Sequence, residues 1–241
     1  MNYGNKLTRE LTNSDCQKLN AAVFFSLCLG IRFTIFISIH LEKAGVTPDY
    51  RPFISAYIKH IGDFIYTNTC KPPHWIYVLE STTGRNLHIL VNVPHSLIPR
   101  FRRLCRRPWV EESGGAYHKK VVLPLVIKCS SPDDLLTDYI CFGLKGTFKY
   151  FLKGAEPTIC DWIGRPHEDQ GIIIGTRCRT SQSLGRKARD EHGPLRNDNK
   201  IRAILDEALL RLDLPPVSSG TKAEPTQKSA PTRRLTRGAP T

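Results

Sequence analysis

A carboxylate at Glu80, an amide at Asn86 and an imidazole at His88 fall within one short stretch of this chain. Their setting is the segment WIYVLESTTGRNLHILVNVP, Trp75 to Pro94. Two apolar-rich runs of strand length flank a Ser/Thr/Gly turn there, the signature of a β-hairpin. In the second run Leu87, Ile89, Val91 and Val93 share one face, and Asn86, His88, Leu90 and Asn92 share the other. With Ser81 to Arg85 as the loop, Glu80 lies opposite Asn86 and joins that polar face. Oxygen and nitrogen donors of this kind suit a divalent metal or a phosphate. A hairpin with one solvated face produces the same alternation for solubility alone.

A second group lies in GTFKYFLKGAEP, residues 146–157. Tyr150 and Lys153 are three apart and share a face if the segment is helical. A tyrosine phenol becomes a useful nucleophile when an ammonium or a metal-polarised phosphate stabilises charge beside it. An amphipathic helix with a snorkelling lysine would carry the same pair.

The elements that must position these groups follow from the pattern around them. Phe33 to Glu42 reads as a strand, and Tyr50 to Asn68 as a helix with Phe53, Tyr57, Ile61, Phe64 and Ile65 at helical spacing. After the hairpin, His95 to Trp109 reads as a helix with a basic side at Arg100, Arg102, Arg103, Arg106 and Arg107. Val121 to Cys129 reads as a strand, and Pro132 to Lys153 as largely helical. The order predicts an α+β layer fold, with helices packed on one face of an antiparallel sheet. The expected domains are an N-terminal segment over 1–32, a main domain over 33–190, a C-terminal helix over 191–214 and a tail over 215–241.

The balance of 35 Lys and Arg against 22 Asp and Glu leaves a formal charge of +13 over 241 residues, which favours a polyanionic partner. The tail VSSGTKAEPTQKSAPTRRLTRGAPT has the composition of a disordered segment, and removing it lowers the charge only modestly. Eight dispersed cysteines include no Cys-x-x-Cys pair, which argues against a zinc ribbon and for a reduced, cytoplasmic setting. Ala21 to Ile39 is nearly long enough to span a bilayer. Arg32 inside it and the Gly30-Ile31-Arg32 break favour a helix end followed by a core strand over a membrane anchor.

The sheet face with Glu80, Asn86 and His88, followed by Tyr150-x-x-Lys153, resembles the HUH endonuclease superfamily of rolling-circle replication initiators and relaxases. The blocks FISIHLEKAGV (36–46), WIYVLE, GRNLHILVNVP, KYFLKGAEP and IIIGTRCRTSQSLGRKAR (172–189) are similar, in order, to those of a bacterial replication-associated group. The superfamily's paired histidines stand here as Asn86-Leu87-His88. The resemblance implies an antiparallel ferredoxin-like sheet on which Glu80, Asn86 and His88 hold Mg²⁺ or Mn²⁺; His40 on the first strand adds a further ligand if that strand neighbours the hairpin. It implies that Tyr150 attacks single-stranded DNA, leaving a 5′-phosphotyrosine and a free 3′-hydroxyl, with Lys153 supporting the phenolate or the phosphate.

Arg177, Arg179, Arg186, Lys187 and Arg189, with Thr180 or Ser181 capping a helix, are then a DNA-backbone element, and Arg102 and Arg103 a second one. Trp75, Tyr77 and Trp162 either stack bases or fill the core. The partners expected are single-stranded DNA and a separate helicase, with no lipid. A non-catalytic DNA-binding protein on the same fold is the alternative.

Overall fold

In the computed structural model, the structure describes residues 7–46, 49–81, 84–127, 149–162 and 164–192. Two helices account for most of the ordered helical length. Helix α1 (Asn13–Cys28) starts at Thr12, whose hydroxyl accepts the Asp15 N–H, and ends before Gly30 at φ +68°. Helix α2 (Arg51–Thr69) carries Pro52 in its first turn, where a missing N–H costs nothing. Its stop is Cys70 in the left-handed region at φ 55°, ahead of Lys71-Pro72-Pro73.

A two-residue strand β1 (Leu7–Thr8) precedes α1, and β2 (Ile35–His40), β3 (Trp75–Ser81), β4 (Arg85–Val91) and β5 (Val122–Val126) follow in chain order. Short strands β6 (Ile173–Ile174) and β7 (Cys178–Thr180) come later, with β6 paired to β1. The main sheet is five-stranded and antiparallel throughout, in the order β5-β2-β4-β3-β7. The β3–β4 register puts Glu80 opposite Asn86 and Ser81 opposite Arg85, so the expected Glu80–Asn86 pairing holds.

The segment expected as one helix over His95–Trp109 is broken. A 3₁₀ turn over His95–Leu97 leads into α3 (Ile98–Leu104), and α4 (Arg107–Glu112) starts afresh. Pro99 and Pro108 are the reason: each fits a first helical turn and neither fits a helix interior. Pro124 sits in β5, an edge strand, where it removes no ladder bond that the sheet needs. The stretch expected as helical over 132–153 lies mostly outside the described residues. Its last part, 149–151, is helical and then gives way to turns.

Apolar side chains cover both faces of the sheet. One core joins Ile35, Ile37, Ile39, Leu87, Ile89 and Val91 to Phe53, Tyr57, Ile61 and Phe64 of α2, with Phe101 and Trp109 closing it. The other joins Ile76, Val78 and Leu90 to Leu19, Val23 and Phe25 of α1 and to Phe151, Leu152 and Cys160. The expectation of helices on one face is therefore corrected, because Ile76, Val78 and Leu90 interrupt the polar face and need cover. Leu11 and helix α1 pack into this second core. No helix among the described residues is long and apolar enough to cross a membrane. A short helix α5 (Pro157–Trp162) precedes β6. The expected C-terminal helix over 191–214 and the tail lie outside the described residues, apart from the end of α6 (Arg186–Glu191) and its cap His192.

Candidate active site

One row of residues crosses three neighbouring strands on the α1 side of the sheet: His40 on β2, Asn86 on β4 and Glu80 on β3. His88 lies one step along β4, diagonal to Glu80. Strand alternation places all four on one face. Glu80, Asn86 and His88 are only 4%, 7% and 3% exposed. Solubility therefore does not explain their polarity; they are buried polar groups and need partners.

Glu80 has two of them. Its Oε2 lies 3.1 Å from His88 Nε2 and 3.0 Å from Lys153 Nζ. Burial pushes the Glu80 carboxyl up, but His88 and Lys153 outweigh it and hold the group below its ordinary value. For Lys153, burial works against the ammonium, while the Tyr150 hydroxyl and Glu80 raise its pKa more than burial lowers it. His40 is held below its usual range by burial first, with Lys43 adding to it and Asn86 working against it.

Tyr150 closes the site from above the sheet. Its ring stands edge-on to His88 at 5.3 Å and to Phe36 at 6.1 Å, and Lys153 Nζ lies 4.1 Å from its centroid. The two residues meet across a turn rather than along a helix. Helical backbone stops at residue 151, and the Lys153 N–H donates to the Tyr150 carbonyl at 3.3 Å. All six predicted catalytic and metal residues, Glu80, Asn86, His88, His40, Tyr150 and Lys153, thus share one face.

Four polar atoms of this cluster are buried without a hydrogen-bond partner: Glu80 Oε1, Asn86 Oδ1, His88 Nδ1 and His88 Nε2. The His88–Glu80 contact is an ion-pair approach without an aligned N–H···O bond. Leaving such atoms unpaired costs about 1–3 kcal/mol each. Carboxylate oxygen, amide oxygen and imidazole nitrogen are donors that suit Mg²⁺ or Mn²⁺, so the residues fit a hard divalent ion. Among the described residues there is no group of three His, Cys, Asp or Glu side chains arranged for a metal, so Asn86 is needed as the third donor.

Sequence reasoning missed several members. Phe36 stacks on His88 at 5.6 Å, and alternation with Ser38 and His40 in FISIH carried the signal for it. Arg165, 5.7 Å from the Tyr150 centroid, and Glu168, 3.9 Å from Lys153 Nζ, pair with each other at 3.1 Å. They sit in irregular backbone with no periodicity to find them by.

The predicted DNA-binding residues do not gather at this site. Arg177 is 2% exposed, and its guanidinium donates to the carbonyls of Leu79, Gln170, Thr8 and Gly171. It is a structural clamp between β3 and the 170–171 loop, which corrects its reading as a phosphate contact. Arg179 is exposed and faces Tyr77 across β3, on the α2 side. Arg186 and Lys187 are exposed on α6 and form i,i+4 pairs with Asp190 and Glu191, while Arg189 donates to the Leu184 carbonyl. Arg102 and Arg103 line an open groove of about 590 Å³ with Arg106, Arg107 and Tyr117, in the α2–α4 layer. Thr180 ends β7, and Ser181 stands before a 3₁₀ turn (Gln182–Leu184) without a side-chain capping bond; its hydroxyl takes the Trp75 N–H at 3.3 Å.

No family model, curated protein or solved structure matches this chain.

Proposed function

We propose that this protein cuts and rejoins single-stranded DNA through a phosphotyrosine on Tyr150. The observation that carries the reading is Tyr150 and Lys153 standing over a buried, unpaired donor set at Glu80, Asn86 and His88. Strand order supports it as well. Elements β2-α2-β3-β4-(α3, α4)-β5 follow the β-α-β-β-α-β course of a ferredoxin-like unit, with β7 added at one edge.

In this reading Glu80, Asn86 and His88 would hold Mg²⁺ or Mn²⁺, with His40 opposite Asn86 on the neighbouring strand. The ion would neutralise charge on the scissile phosphate. The Tyr150 oxygen bonds to phosphorus and the bond to the 3′-oxygen breaks. The phenolic proton is lost and the departing 3′-oxygen gains one. Lys153 stabilises the phenolate as it forms and holds the phosphate near it, and the phosphotyrosine keeps the bond energy needed for resealing. Exposed Arg179, Arg186, Lys187, Arg102 and Arg103, with the half-buried Arg189, contribute the backbone attraction that the net charge predicts. The six free cysteines among the described residues accord with a cytoplasmic setting. Strand separation would need a separate helicase.

A second reading is a non-catalytic DNA-binding protein. Two observations favour it: an amide at Asn86 where an imidazole would ligate better, and the Lys153 ammonium already on Glu80 Oε2. The deciding experiment incubates the protein with labelled single-stranded oligonucleotides, including DNA from beside its gene, with Mn²⁺ or chelator. A denaturation-resistant adduct that needs metal and vanishes in Tyr150→Phe establishes the first reading. Salt-sensitive binding without an adduct establishes the second.

A further inference from the structure

The opposite face of β3 carries a different cavity. Between the first turns of α2 and the β3–β7 edge lies a pocket of about 270 Å³. Its wall includes Trp75 and Tyr77, whose rings are stacked at 5.8 Å and 9°. The Tyr50 hydroxyl donates to the Ile174 carbonyl at 2.8 Å and accepts the Ile174 N–H at 2.9 Å, which fixes another wall. Ile54 supplies an apolar side.

The charge of this pocket is one-sided. Arg51 and Arg179 line it, and no carboxylate does. Arg51 is committed to Asp49 at 2.7 Å, whereas Arg179 makes no ion pair with a described residue. The half-buried Trp75 ring, stacked on the buried Tyr77 ring, with an uncompensated guanidinium at the rim suits a planar, anionic ligand. On a chain of net charge +13, nucleic acid supplies that chemistry most directly. The volume is near the lower bound of small-molecule sites, about 300 Å³, which limits the occupant to a single nucleotide.

We propose that this pocket binds one unpaired nucleotide, its base on the Trp75–Tyr77 wall and its phosphate on Arg179. The occupant is either a free mononucleotide or an unstacked nucleotide within a single strand. Duplex DNA is excluded, because its bases are stacked and the cavity admits only one. The proposal stands apart from the nicking chemistry, since Tyr150 is on the other side of the sheet.

Binding is measured in chelator, so that no metal-dependent step contributes. The probes are dAMP and dTMP by calorimetry, and a labelled oligo-dT strand of about twelve nucleotides and its duplex by anisotropy. Mononucleotide binding identifies a free nucleotide as occupant; binding of the strand alone identifies an unpaired nucleotide in DNA. In either case Trp75→Leu and Arg179→Gln weaken binding about tenfold, and Trp75→Phe retains most of it. Arg179 is exposed, so its variant keeps the test valid if Trp75→Leu fails to fold. Absence of binding by all single-stranded and mononucleotide probes overturns the proposal. So does equal affinity for duplex, or affinity unchanged in both Arg179→Gln and Trp75→Leu.

Discussion

Lys153 Nζ lies 3.0 Å from Glu80 Oε2, with both side chains almost wholly removed from solvent. The ammonium therefore supplies the positive charge that the carboxylate needs in the absence of a metal ion. Lys153→Met removes it and leaves a buried carboxylate short of charge. Without metal the variant should lose about 3 kcal/mol in urea denaturation. Mn²⁺ should raise its melting temperature more than it raises that of the parent, because the freed oxygen now favours the ion. Equal Mn²⁺ effects on the two proteins would count against a metal at Glu80.

Tyr150 offers a sharper separation of chemistry from stability. Its ring packs edge-on against Phe36 and His88, and Tyr150→Phe keeps that packing. The variant should melt within a few degrees of the parent, a loss below about 1 kcal/mol. The adduct with single-stranded DNA should disappear entirely. Thermal denaturation beside a denaturing gel reads both outcomes.

Arg177 should behave as a core residue. Four carbonyls converge on its guanidinium, so Arg177→Met should destabilise by at least about 3 kcal/mol. DNA affinity per folded molecule should stay unchanged. Gly171→Ala should be destabilising by the same route. Gly171 has φ +64°, and an added Cβ would come within 2.1 Å of the Ser81 carbonyl oxygen.

Arg102 and Arg103 present the contrasting case. Both are exposed, and no ion pair with a described residue compensates either. The double change to Gln should alter stability by less than about 0.5 kcal/mol each. If the α3–α4 groove tracks the DNA backbone, the slope of log affinity against log salt falls by about two. An unchanged slope would place the backbone path elsewhere, with α6 as the next surface to vary.

His74 supplies the pH dependence. Burial holds its pKa below the ordinary 6.5, and its Nδ1 has no hydrogen-bond partner. The folded chain therefore resists a proton that the unfolded chain accepts. Its contribution is present above pH 6.5 and is lost as pH falls through the depressed folded value. His74→Gln removes this titration, so the stability difference between parent and variant should move in the variant's favour between pH 7 and pH 5. Melting curves across that range check the sign.

Local pattern alone determined much of this architecture. The alternation in β4, the helical spacing of Phe53, Tyr57, Ile61 and Phe64, and the turn between Ser81 and Arg85 each express a period or a backbone preference that neighbouring residues carry. The same alternation placed Glu80, Asn86 and His88 on one face. The helix after the hairpin reads as one piece in the sequence, because its arginine spacing resembles one continuous face, and Pro99 and Pro108 break it.

Tertiary structure decided the rest, because burial is a property of what packs on top. Only the cover of α1 and residues 149–162 turns a seemingly wet face into a buried donor cluster. Arg177 and Arg179 are two positions apart, yet one holds four carbonyls inside and the other faces solvent. No period in the sequence distinguishes them; the loop at 170–171 and the edge position of β7 do.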